Sequence, residues 1–398
     1  MTMQIAQTHY IAPTRRRFLV ASRWLLQAAI VAVVAGLAIW LALAVRDALG
    51  RKGIQFSFGY LSNAANISLS EGLVPSLDGV WPILEPFSPS HSNAQALVAG
   101  LWNSLKVALS AIALCTVFGT LVGIGRLSTN WLVRNLSFAL VECVRNTPLL
   151  IQIVFWYFAV VLRFPPANAA SNWFGGLIAS RSGVFLPGLA ISEDVGLASW
   201  ALLAAAVASA IAVLVVGGMR RKLTILAVAI GALSAAGALG FPLSFDLPVA
   251  TRFGARGGIA LSPEMTAILL AITVNSSAYV AEIVRGAIDS LPKGQWEAAA
   301  SLGLSRPDTL RDIILPQVFR IVLPSLANRY ISLTKDTSLG IAIGFPDLFN
   351  VYGTVSNQTG RNLEGVVIVM LVYLALSWII SVCVNALNAR INGQGETR

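Results

Sequence analysis

The chain has 398 residues, 56% of them hydrophobic and only 12% charged, with a mean hydropathy of +0.74 and a formal net charge of +10. A soluble domain carries about a quarter charged residues, so a water-exposed globule is excluded and the medium is lipid. The basic residues are dispersed among loops and not gathered on one face, which argues against a nucleic-acid partner.

Residues 1–23 are a polar tail ending in Arg15, Arg16, Arg17 and Arg23. The next apolar run, 24–45, is too long for the core of a signal peptide and reads as a retained membrane anchor. Residues 46–96 hold Gly, Pro, Ser and Asn in turn-like clusters and form an outer loop. Its Trp81, Pro82, Pro86, Phe87 and Pro89 read either as a small cap over the bundle or as a plain connector.

Runs long enough to cross a bilayer, which takes about 20 apolar residues, then recur at 97–125, 137–162, 197–217, 223–241, 263–285 and 363–388. An eighth, 338–356, carries Gly340, Gly344, Pro346 and Gly353, so it reads as short or broken and is assigned to the bundle interior. In an eight-span topology with a cytoplasmic amino terminus, one face receives most of the cations, among them Arg15, Arg126, Arg220, Arg221, Lys222, Arg285, Arg329 and Lys335. That asymmetry places both termini in the cytoplasm. The expected fold is an all-α integral membrane protein of about eight transmembrane helices. Its parts are a tail, anchor and outer loop (1–96), a first core segment (97–162), an inserted loop and helical hairpin (163–260) and a second core segment (261–398).

Within 137–162, Pro148 bends the span, and Glu142 and Arg145 lie three apart on one face where they can pair. The span 263–285 contains Thr273, Asn275, Ser276, Ser277, Tyr279 and Glu282, a polar cluster too dense for a lipid-facing helix. These residues, with Glu142 and Arg145, are candidates for a substrate path. Helix-to-helix glue is the other reading, and Glu282 is also spaced to pair with Arg285. Cys115, Cys143 and Cys383 have no metal-binding spacing and read as small core residues. No Gly-Lys dipeptide occurs, so there is no phosphate loop, and no catalytic constellation appears.

The segment 290–336 is a polar interruption between apolar spans. Residues 295–302, with Glu297, Ala298 and Ala299, form a short helix that Gly303 ends in a left-handed conformation. A second helix begins at Ser305 as N-cap, with Pro307 in the first turn and Asp308 completing a capping box, and runs into Ile313, Leu315 and Pro316. Two short helices joined by a glycine turn suit a groove on another protein.

This Glu-Ala-Ala, Gly, Ile-x-Leu-Pro spacing resembles the signature loop of permease subunits of type I ATP-binding-cassette importers. The segments at Gly100–Leu105, Arg145–Gln152, Ala281–Ile288 and Leu333–Leu339 resemble the polar amino-acid permeases of that class, and the extra first span and inserted hairpin resemble the long permease of the general L-amino-acid transporters. The resemblance implies an ATP-driven, binding-protein-dependent importer of polar L-amino acids in the bacterial inner membrane. Glu297, Ala298, Ala299, Gly303, Ile313, Leu315 and Pro316 would then couple to ATPase subunits, which bind ATP and Mg, while this chain carries no cofactor and is no enzyme. A second, related permease and a periplasmic amino-acid-binding protein are the other implied partners. The competing reading is an ion-coupled secondary amino-acid transporter or channel, which the coupling signature and the lack of an inverted repeat oppose.

Overall fold

A computed structural model describes residues 13–51, 56–76, 84–170, 172–173, 176–191, 197–215, 219–241, 243–251, 254–305 and 308–393. The expected positions Trp81, Pro82 and Pro307 lie outside the described residues. The chain divides into two units, Met1–Tyr60 and Leu61–Arg398. The first is dominated by helix α1 (Pro13–Arg51), whose apolar part Trp24–Ala48 buries nothing within its own unit, as suits a helix surrounded by lipid.

The second unit is built on two long helices, α2 (Asn93–Arg126) and α7 (Pro263–Asp289), packed along their lengths. Local chemistry sets where each begins. Ser92 and Gln95 form a capping box at α2, and the Ser262 hydroxyl accepts from the Met265 amide at α7, with Pro263 in the first turn. Small residues bring the two backbones together: Gly119 faces Ser277 and Val280, and Gly123 faces Ala281 and Val284. Val107, Ala111, Ile268, Ile272, Leu333 and Phe345 fill the core around this contact.

Helix α3 (Trp131–Arg145) is followed by α4 (Leu149–Phe155), which widens into a π turn at Trp156–Val160. The expected bend at Pro148 is present and large, 102° between the two halves. The insertion is not only helical. Antiparallel strands β3 (Asn172–Trp173), β4 (Leu177–Ser180), β5 (Gly183–Leu186) and β10 (Ile259–Leu261) form a small sheet in the order β10-β5-β4-β3. Strand β6 (Gly188–Ile191) pairs with β7 (Leu243–Asp246), and between them α5 (Leu197–Val215) packs on α6 (Met219–Ala238) as the expected hairpin.

After α7 come α8 (Lys293–Ser301), α9 (Leu315–Asp336), α10 (Leu348–Thr359) and α11 (Asn362–Gly393). The broken character of 338–356 is seen directly: a 3-10 turn over Thr337–Ile343 precedes α10, which Asp347 caps. Among the described residues five helices are long and apolar enough to span, or six if the bent α3–α4 pair is one crossing. The described residues thus do not confirm a count of eight. The apolar part of α5 is Ala198–Ala210, and 338–356 is no single helix.

The described part of the outer loop is tied to this unit through Glu71. Glu71 accepts from Lys106 Nζ on α2 at 2.9 Å and from the Ser262 hydroxyl at 2.6 Å, while Asn103 Nδ2 donates to the carbonyls of Glu71 (3.0 Å) and Pro346 (2.9 Å). One carboxylate and one amide thus tie together α2, the start of α7 and the broken segment.

Candidate functional site

Two features carry the expected site residues, and each has its own geometry. The first is the polar excursion between α7 and α9. Helix α8 ends where expected, and Gly303 has φ +72°, with the Leu304 amide donating to the Ala299 carbonyl at 3.1 Å. A β-carbon on Gly303 would meet nothing within 4 Å, so only the backbone conformation demands glycine there. Ser305 caps the second helical turn: its carbonyl accepts from the Thr309 amide at 2.9 Å, and its hydroxyl bonds the Asp308 carboxylate. The helix it opens is a π turn, Thr309–Ile314, closed by the Leu315 amide donating to the Leu310 carbonyl. A proline ring clashes with the carbonyl four residues before it, and the wider turn relieves Pro316 of that contact.

Ala299 is buried at the base of this excursion, while Glu297, Ala298, Gly303 and Pro316 are exposed and Ile313 and Leu315 are half-buried. Leu302 is 77% exposed and Leu304 41%, a pair of leucines held outward on a polar loop. Sequence reasoning missed them as part of the surface, although their place either side of Gly303 was the available signal.

The second feature lies where α3 and α9 come together on α7. Arg145, Asn275 and Tyr279 line a cavity of about 360 Å³ together with Arg329 and Asp336 from α9. The arginine side chains flank one ring, with the Arg145 and Arg329 guanidinium carbons 5.6 and 4.6 Å from the Tyr279 centroid. Arg329 Nη2 donates to Ser276 Oγ at 2.8 Å, to Asn275 Oδ1 at 3.1 Å and to Asp336 Oδ2 at 3.3 Å. Asn275 stands near the middle of α7, and Arg329 is a helix residue reaching it, where the reading of 290–336 as a loop had not placed it. Arg329 and Asp336, seven residues apart on one face of α9, were the residues missed; their signal was two ionisable groups in a helix that packs on the core.

Glu142 does not pair with Arg145. It accepts from Asn146 Nδ2 at 3.3 Å, whereas Arg145 turns to Glu282, with Nη1 3.5 Å from Oε2. Glu282 also pairs with Arg285, as its spacing allowed, and with Arg126 of α2. One carboxylate therefore serves three guanidiniums. Thr273 and Ser277 are buried, their hydroxyls have no hydrogen-bond partner among the described residues, and they are not on the cavity wall.

A family model described as the binding-protein-dependent transport system inner membrane component matches residues 223–393. An amino-acid ABC transporter permease protein of Escherichia coli, YhdX, is 36% identical, covering 92% of this chain and 93% of its own. The general L-amino acid transport system permease protein AapQ of Rhizobium johnstonii is 35% identical over 91% of this chain and 90% of its own. The glutamate/glutamine/aspartate/asparagine transport system permease protein BztB of Rhodobacter capsulatus is 33% identical over 90% of each chain.

Proposed function

Because the chain belongs to the binding-protein-dependent transport system inner membrane components, as an amino-acid ABC transporter permease, we propose that it is the membrane subunit of an ATP-driven importer of polar L-amino acids. Separate ATPase subunits bind ATP and Mg and supply the energy. A related second permease completes the pore, and a periplasmic amino-acid-binding protein delivers the substrate. Both termini and the α8 excursion face the cytoplasm.

The observation that carries this reading is the excursion between α7 and α9: a short helix, a left-handed glycine and two exposed leucines, projecting where a groove on a soluble partner can take them. Glu297 offers a fixed charge to that groove, Ala298 allows close approach, Ala299, Ile313 and Leu315 seat the excursion on the helices behind it, and Pro316 fixes the backbone where the excursion joins α9. Movement of the partner is thus passed to α7 and α9, which carry the cavity between them. There an amino acid is held by its carboxylate on Arg145 and by its ammonium on Asp336, with Asn275 and Tyr279 completing the wall. Glu282, Ser276, Thr273, Ser277 and Glu142 stand behind that wall and shape the path.

The test is purification from the native membrane in mild detergent, followed by mass spectrometry of the proteins that accompany the chain. Recovery of an ATPase and a second permease is expected. Recovery of this chain alone, while a control importer stays assembled, would overturn the proposal in favour of an ion-coupled carrier.

A further inference from the structure

We propose that the cavity between α7 and α9 selects amino acids with an acidic side chain, Arg329 taking the side-chain carboxylate while Arg145 and Asp336 take the α-carboxylate and ammonium. This rests on the reading of the cavity as part of the amino acid's path, and it adds the substrate class.

The wall charges set the preference. Arg145 and Arg329 face the cavity against the single carboxylate of Asp336. Glu282 neutralises Arg145 only in part: it also engages Arg126 and Arg285, and with Asp289 on Arg285 the three guanidiniums share two carboxylates, which leaves one positive charge in surplus. The Nε donors of both cavity arginines are buried and have no hydrogen-bond partner among the described residues. An amino acid with a neutral side chain brings one carboxylate and one ammonium, so it leaves the surplus positive charge of the wall in place. Glutamate or aspartate brings one more carboxylate and cancels it. Arginine or lysine adds a third cation beside Arg145 and Arg329, and like charges at close range repel. A guanidinium also binds a carboxylate through two parallel hydrogen bonds, which an amide oxygen cannot match.

The experiment is equilibrium binding of radiolabelled L-glutamate to the whole transporter complex in nanodiscs, with the binding protein left out so that its own selectivity is absent. Glutamate and aspartate should compete about tenfold or more better than glutamine and asparagine, the worth of one charge-assisted hydrogen bond, and arginine should not compete. Arg329→Gln should reduce the acidic preference, Arg329→Lys should keep most of it, and Arg145→Gln and Asp336→Asn should each weaken every amino acid. Equal affinities for glutamate and glutamine would overturn the acidic selectivity while leaving the cavity on the path. Absence of binding by any amino acid, in a complex that still performs binding-protein-dependent uptake, would overturn both.

Discussion

Gly119 on α2 lies directly against Val280 on α7: a β-carbon on the glycine would sit 2.6 Å from Val280 Cβ and 2.8 Å from the Ser277 carbonyl oxygen. Replacement by leucine should force the two central helices apart at a cost of about 1–3 kcal/mol. Gly231 on α6 meets nothing within 4 Å and should accept the same change with little effect. Thermal midpoints of the purified variants check this, and equal midpoints would refute the claim that α2 and α7 need this close approach.

The left-handed backbone at Gly303, with open space around it, makes a graded prediction. Gly303→Val should strain the turn by about 1–2 kcal/mol, roughly a 5- to 30-fold shift away from the observed geometry. Gly303→Asn, which tolerates this conformation, should retain most of the activity. Uptake into proteoliposomes at equal membrane abundance is the measurement. An asparagine variant as inactive as the valine would point to side-chain bulk and away from backbone angle.

Glu282→Gln leaves Arg126 and Arg145 without their carboxylate, and Arg126 is only 8% exposed. The expected loss of stability is about 3 kcal/mol. Adding Arg126→Gln should recover part of it, since residues in one ion-pair network couple non-additively. A double variant whose loss is the simple sum of the two single ones would show that the network is not a unit.

Glu71→Leu removes the acceptor for Lys106 and Ser262 and should loosen the outer loop locally without unfolding the bundle. Hydrogen exchange over residues 61–76 should quicken by about tenfold, the equivalent of one charge-assisted bond, while exchange in α7 stays slow. Acceleration of both together would mean that the loop and the bundle open as one.

The features legible in the sequence were those that depend on neighbours along the chain. The left-handed turn at Gly303, the Ser305 cap, the bend at Pro148 and the Glu282–Arg285 pair all involve residues within a few positions of each other. Partners across helices were not legible. Arg145 lies three residues from Glu142, yet it turns to Glu282 because the α3–α7 packing, which no local pattern encodes, brings that carboxylate within reach. Arg329 was placed in a loop because charge counting assigns a residue by its position between apolar runs, and α9 is amphipathic enough to read as loop. The strands of the insertion escaped notice because each is at most four residues long, too short for alternation to show.

The β6–β7 ladder sets how the hairpin joins the rest of the chain. Its register pairs Gly188 with Asp246 and Ile191 with Leu243, so the chain enters and leaves the α5–α6 hairpin at adjacent points. A segment whose two ends meet across one strand spacing can be gained or lost in a single genetic event with little adjustment of the host backbone. The hairpin is in that sense a removable module.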